Sequence, residues 1–140
     1  MPIVQVAQNT IDKTWQAINV TAQGIGEMSF GSAQLVDETT SVSYKFRQGE
    51  PVVSVDLPLD HKVGASFLCT NTGEIALKVF VYVAIIDPDG LTRAEAWNPR
   101  GTIPQTVNPG VGYYSDYIGG VSLDKLGLWL IYGRIEYEIA

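Results

Sequence analysis

Residues 76–90 read ALKVFVYVAIIDPDG, and this stretch decides the fold. Leu77, Val79, Val81, Val83 and Ile85 fill one side of an extended chain, while Phe80, Tyr82, Ala84 and Ile86 lie on the other beside Lys78. That two-residue period, in β-branched and aromatic residues, is the signature of a strand. Asp87-Pro88-Asp89-Gly90 then closes it as a turn, because proline presets φ at the second turn position and glycine supplies the permissive φ that follows. A returning strand is expected over Leu91–Trp97.

The same period recurs on either side of this hairpin. Leu128–Ile139 sends Trp129, Ile131, Ile135, Tyr137 and Ile139 one way and Leu128, Leu130, Tyr132, Arg134, Glu136 and Glu138 the other. Thr40–Arg47 alternates Val42, Tyr44 and Phe46 with Ser43, Lys45 and Arg47, and Val53, Val55 and Leu57 repeat the pattern. Val63, Ala65, Phe67 and Cys69 share one face of Val63–Thr70, and the turn residues Asn71-Thr72-Gly73-Glu74 suggest a hairpin joining that strand to Ala76–Ile86. Between Asn98-Pro99-Arg100-Gly101 and Asn108-Pro109-Gly110 only Thr102–Val107 remains, the length of a short edge strand. Strands are also expected at Ile3–Ala7 and Trp15–Ala22, followed by a connection through Gly24, Gly26 and Gly31. No window keeps helical spacing for long. Short strands separated by Gly, Pro, Asn and Asp turns imply an all-β chain: a single antiparallel β-sandwich, immunoglobulin-like or jelly-roll-like, of about 8–10 strands. Residues 1–140 form one domain on this reading, with residues 1–39 as added strands or an arm.

Composition sets bounds on function. A chain of 140 residues, 46% hydrophobic and 17% charged, is long and apolar enough to bury a core without metals or disulfides. So few charges leave some surface for another subunit to cover. The net charge of −6 and the scattered basic residues argue against nucleic acid as a partner, since phosphate binding rests on clustered Lys and Arg. Cys69 is the only cysteine, so it forms no intrachain disulfide and reads as a small buried hydrophobe. Met1-Pro2-Ile3-Val4-Gln5-Val6 has no basic start or apolar run of the export type, and Val79–Ile86 is too short to span a bilayer. No export signal is visible, and no membrane insertion is expected.

From Val63 to Tyr137 the turns follow an order: Asn71-x-Gly73 before a long apolar strand, Asp87-Pro88-x-Gly90, Pro109-Gly110, and Leu123, Gly127 and Trp129 entering the last strand. In this order the second half of the chain resembles the CARDB-type (cell-adhesion-related) Ig-like sandwich modules. The last element is similar to the corner at which a tyrosine hydroxyl ties a loop to the backbone in such sandwiches, with Trp129 offering an indole N–H instead. The resemblance implies adhesion, spacing or assembly.

Chemistry has little to work with. His61 beside Asp60, with Asp56 near, contains the groups of a general base or metal site, but it is the single histidine and stands in a turn expected to be solvated. No nucleophile motif accompanies it, so no enzyme, catalytic residue or cofactor is expected. Asp87 and Asp89 have the spacing that opens a Ca²⁺ loop, yet Pro88 suits a hairpin and the downstream bidentate Glu is missing, so no metal is expected. Asn19-Val20-Thr21 is a formal glycosylation sequon. Tyr113, Tyr114 and Tyr117, on a loop made bendable by Gly112, Gly119 and Gly120, suit strand packing or a protein interface. With Trp97 they also suit a glycan-stacking platform, Asn98 and Asp116 supplying hydrogen bonds.

Two long strands are apolar on both faces, whereas an open sheet should have one wet face. Either the segment Met1–Ala22 covers the outer face, the slightly favoured reading, or another chain does. The expectation is a non-catalytic structural or interaction domain, working as a homo-oligomer or with other structural proteins in a virion or cell-surface layer. Phe80, Tyr82, Leu128, Leu130 and Tyr132 on the strand faces, and Tyr113, Tyr114 and Tyr117, are the candidate contacts. A carbohydrate-binding module is the alternative.

Overall fold

The computed structural model describes residues 3–13, 28–47 and 55–140, and every regular element among them is a strand. In chain order these are β1 (Ile3–Lys13), β2 (Met28–Asp37), β3 (Val42–Arg47), β4 (Val55–Pro58), β5 (Lys62–Asn71), β6 (Leu77–Ile86), β7 (Thr92–Asn98), β8 (Gln105–Val107), β9 (Gly112–Tyr114), β10 (Ile118–Ser122) and β11 (Gly127–Ile139). They form a six-stranded sheet in the order β4-β1-β11-β6-β7, with β8 also on β6, and a five-stranded sheet in the order β10-β5-β2-β3, with β9 also on β5. All pairings are antiparallel except that of β1 with β11. The all-β expectation holds. Its strand number was low because each sheet has an edge built from two short strands in line: β7 and β8 along β6, β9 and β10 along β5.

One apolar core unites the inner faces. Leu35, Val63, Ala65, Phe67 and Cys69 from the five-stranded sheet meet Leu77, Val79, Val81, Val83, Ile85, Trp129, Ile131 and Ile135 from the other, all at most 2% exposed. Gly133 of β11 faces inward, and a Cβ there would lie 3.0–3.2 Å from three ring carbons of Phe67. Only glycine lets the ring of Phe67 lie against that backbone.

Two expectations need correction. β5 and β6 do not form a hairpin, because they belong to different sheets and residues 72–76 carry the chain from one to the other. The reason is the side chain of Asn71, fully buried, whose Nδ2 donates to the carbonyls of Ile75 and Val107 at 2.9 Å each while Oδ1 accepts the Gly73 N–H at 2.9 Å. Its amide satisfies the backbone of a corner, so the chain can leave one sheet without orphaning polar groups. Nor does the described part of the N-terminal segment lie over the outer face: β1 runs in the plane of the six-stranded sheet, between β4 and β11. The expected strand Trp15–Ala22, with Asn19, Thr21, Gly24, Gly26 and Val53, falls outside the described residues.

The two outer faces differ. That of the five-stranded sheet is mostly polar: Ser32, Gln34, Ser43, Lys45, Ser66 and Thr70 alternate with buried residues, and Val36, Leu68 and Tyr114 lie among them. Tyr117 crosses this face over Gly64, where a Cβ would meet the phenol oxygen at 2.0 Å, and its hydroxyl donates to Glu38 Oε2 at 2.6 Å. Burial and that bond push the Tyr117 phenol up to about 12. The six-stranded sheet turns a cluster of mutually touching aromatic side chains outward.

Candidate interaction surface

Pairing register assembles the aromatic surface. Tyr82 of β6 stands opposite Trp97 of β7 on one side and Arg134 of β11 on the other; the next outward row is Glu95, Ala84 and Tyr132. Phe80, one outward position back along β6, pairs with Glu136. Cross-strand neighbours on one face lie close enough for large rings to touch. Tyr82 and Trp97 have ring centroids 4.9 Å apart and tilted by 42°, Phe80 meets Trp97 edge-on at 6.4 Å, and Tyr82 meets Tyr132 at 6.1 Å. Contacts of this kind contribute about 0.5–1.5 kcal/mol each beyond area burial. Ala84 faces outward yet is 1% exposed, so the larger side chains around it shut out water. Leu130 is half-buried beyond Tyr132, and Leu128, 46% exposed, extends the patch towards the β10–β11 end.

Charges frame the rings. The Tyr82 hydroxyl donates to Glu95 Oε2. Burial, then that bond and the Glu95 charge, push the Tyr82 phenol up to about 12. Lys78 and Glu138 stand opposite each other in the register at the far end of β6 and β11. Arg134 Nε is shielded from solvent with no hydrogen-bond partner among the described residues. The predicted contact residues Phe80, Tyr82, Leu128, Leu130 and Tyr132 therefore share one outer face, and Trp97 joins them.

Tyr113, Tyr114 and Tyr117 do not. Tyr113 and Tyr114 belong to the short strand β9 rather than a loop, and Tyr117 directly precedes β10. Tyr113 is half-buried against the core and donates its hydroxyl to Asn98 Oδ1 at 2.9 Å, while Asn98 Nδ2 donates to the Tyr114 carbonyl at 2.8 Å. Tyr114 is 64% and Tyr117 51% exposed. Trp97 and Asn98 are consecutive on β7 and so face opposite ways, Trp97 outward with Tyr82 and Asn98 inward opposite Val81. The glycan platform drawn from sequence is thus divided between two surfaces. Its polar members are engaged within the chain, Asn98 at both ends of its amide and Asp116 with Arg100 at 3.4 Å.

Asp87 and Asp89 hold a cation of the chain's own. Lys125 Nζ lies 3.0 Å from Asp87 Oδ2 and 2.8 Å from Asp89 Oδ2, which raises the ammonium pKa. The buried Asp87 also accepts the N–H groups of Asp89 and Leu91 at 2.9 and 3.0 Å. Burial draws its carboxyl up, but the Leu91 N–H and Lys125 outweigh burial and hold it below the ordinary range. Arg93 grips Asp124 through two bonds of 2.8 and 2.7 Å and lies 5.2 Å over the Trp129 ring. The Trp129 indole N–H donates to the Lys125 carbonyl at 3.0 Å, tying loop to backbone as a corner tyrosine would. This network fastens the β6–β7 turn to the β10–β11 loop.

His61 is not a solvated turn residue. Its Nδ1 lies 2.9 Å from Oδ2 of Asp37, a carboxylate 2% exposed at the end of β2, and its own side chain is 22% exposed. Asp56 and Asp60, the partners expected from sequence, are exposed, and Asp60 takes φ 68° in the turn. Sequence reasoning missed Asp37 because it is 24 residues away; its one signal was a carboxylate at an inward position of a strand. The pair clamps the β4–β5 turn to the β2–β3 turn, where Lys62 N–H also donates to Thr39 Oγ1 at 2.9 Å. Among the described residues no group of three His, Cys, Asp or Glu is placed to hold a metal ion, and no helix is long and apolar enough to cross a membrane. Comparison with family models, curated proteins and solved structures finds no match to the chain.

Proposed function

We propose that this chain is a non-catalytic structural domain of immunoglobulin-like, CARDB-like kind that assembles through the outer face of its six-stranded sheet, as a subunit of a homo-oligomer or of a virion or cell-surface layer. The observation that carries the reading is the contrast between the two outer faces. One is mostly Ser, Gln, Thr and Lys, with Val36, Leu68, Tyr114 and Tyr117 among them; the other brings Phe80, Tyr82, Trp97 and Tyr132 into ring contact, with Leu128 and Leu130 beyond them. Interface cores are enriched in such aromatic residues and poor in charge, with a polar rim of the kind that Lys78, Glu95 and Glu138 supply. An aromatic patch of this size on a small domain marks a contact site.

Sedimentation velocity tests it. The wild-type chain is expected to sediment as more than a monomer, and a Tyr82→Ser/Trp97→Ser variant of unchanged circular dichroism as a monomer, whereas Ser66→Ala on the other face leaves assembly intact. A monomeric wild type, or an assembled double variant, overturns the reading.

A further inference from the structure

The outer face is self-complementary. Along β11, Arg134 and Glu136 occupy successive outward positions, opposite Tyr82 and Phe80 of β6. Consider a second copy laid face to face, related by a two-fold axis that lies in the interface, runs across the strands and passes between these two rows. Each β11 then lies over the other β11 with its direction reversed. Glu136 faces Arg134 of the partner subunit, and Arg134 faces Glu136 of the partner subunit. Phe80 lies over Tyr82 of the partner subunit by the same operation. The row of Lys78 meets the row of Glu95, one strand aside, so cation again falls near anion.

Other placements lose this match. Shifting the axis by half a row along the strands sets Arg134 over Arg134 or Glu136 over Glu136, and by a full row sets Arg134 over Tyr132 or Glu136 over Glu138, so the ion pairs are lost or like charges meet. The donors of Arg134 are not all spent within the described part of its own chain, since Nε has no partner there. Area is sufficient as well. Four strands, β1, β11, β6 and β7, at ~4.8 Å spacing and ~30 Å length give on the order of 600 Å² per copy. Two copies bury about 1,200 Å², at the lower bound for a specific stable pair.

We infer that the partner on this face is a second copy of the same chain, held in a two-fold, face-to-face pair in which Arg134 and Glu136 form reciprocal ion pairs around the aromatic cluster. This rests on the assembly reading above and adds to it the identity of the partner and the axis.

The test uses charge reversal on the full chain. Arg134→Glu alone places carboxylate against carboxylate twice, and Glu136→Arg alone places guanidinium against guanidinium twice. Each is expected to weaken self-association at least ~10-fold, the effect of about 1.4 kcal/mol. Mixed in equal amounts, the two variants complement each other at both positions, and sedimentation of the mixture is expected to recover the wild-type pair. The double swap Arg134→Glu/Glu136→Arg is self-complementary and is expected to pair with itself, which separates loss of pairing from loss of folding. Single variants that pair as wild type does, or a mixture and double swap that stay monomeric while wild type assembles, overturn the two-fold arrangement and leave the contact face standing. A wild type that does not associate at all removes both.

Discussion

Replacing Asn71 asks whether hydrogen bonds at one corner hold the two sheets in register. The side chain is wholly buried and makes three bonds: to the Val107 carbonyl in a fully buried setting, and to the Ile75 carbonyl and Gly73 N–H in partly buried ones. Asn71→Ala removes all three partners. Leaving the Val107 carbonyl unmet costs about 1–3 kcal/mol and each of the other two groups, which water can partly reach, roughly half as much, for a sum on the order of 2–6 kcal/mol. The backbone bonds of the same residue, Asn71 N–H to Val111 O at 3.0 Å and Gly110 N–H to Asn71 O at 2.8 Å, remain, so the measurement reports the side chain. Asn71→Asp is the sharper test. It keeps shape and volume but aims an oxygen at two carbonyls and buries a charge, so it is expected to cost more than alanine at neutral pH. That carboxyl ionises with more difficulty in the folded chain than in the unfolded one, where the value is about 3.9. Its stability relative to neutral pH is therefore fully present below that value and is lost as pH rises through the folded pKa. Urea unfolding of the three proteins at pH 7 and pH 4 decides the matter. An alanine cost below about 1 kcal/mol, or an aspartate milder than alanine at pH 7, refutes the account, because either outcome means the site senses volume rather than donors.

Gly133→Ala is expected to destabilise by about 1–3 kcal/mol through overpacking on Phe67. Phe67→Leu in the same chain should relieve part of it, so that the double variant unfolds in urea at higher concentration than the sum of the single effects implies; strict additivity would deny the contact. Asp37 is held below its ordinary value of 3.8: burial alone would raise it, and the bonds from His61, Thr40 and Thr39 outweigh burial. A carboxyl depressed in the folded state contributes stability above the unfolded value, and that contribution is lost as pH falls through the folded one. Melting temperatures followed downward from about pH 6 should therefore fall less steeply below about pH 4 in Asp37→Asn than in wild type. Equal slopes would contradict this.

Most strands were legible in the sequence because alternation is a local signal. Val63, Ala65, Phe67 and Cys69 are buried on the face their spacing assigned, and the outward set of β6 and β11 forms the aromatic surface as read. What failed was pairing. Asn71-Thr72-Gly73-Glu74 has the composition of a hairpin turn, and only the burial of the Asn71 side chain, which depends on Val107 36 residues away, makes it a corner. Partners of charge were hidden for the same reason: Asp37 for His61, Asp124 for Arg93 and Lys125 for Asp87 are separated in the chain by 24, 31 and 38 residues. The division between Trp97 and Asn98 was open to the alternation rule, since adjacent strand residues face opposite ways; grouping aromatic residues by proximity in sequence overrode it.

The interrupted edges bear on how such a molecule can multiply contacts. A strand with an unpaired side is a rail along which another chain can be laid, and growth by that route has no natural end. Here both rails on one flank are cut: β7 gives way to the three-residue β8, and β9, also of three residues, to β10, with Asn98 stapling the two gaps together through Tyr113 and Tyr114. On the other flank β4 is four residues long and β3 carries the outward Lys45. An assembly of the kind proposed above, built on a domain with such interrupted borders, would meet its neighbours broadside rather than edge to edge.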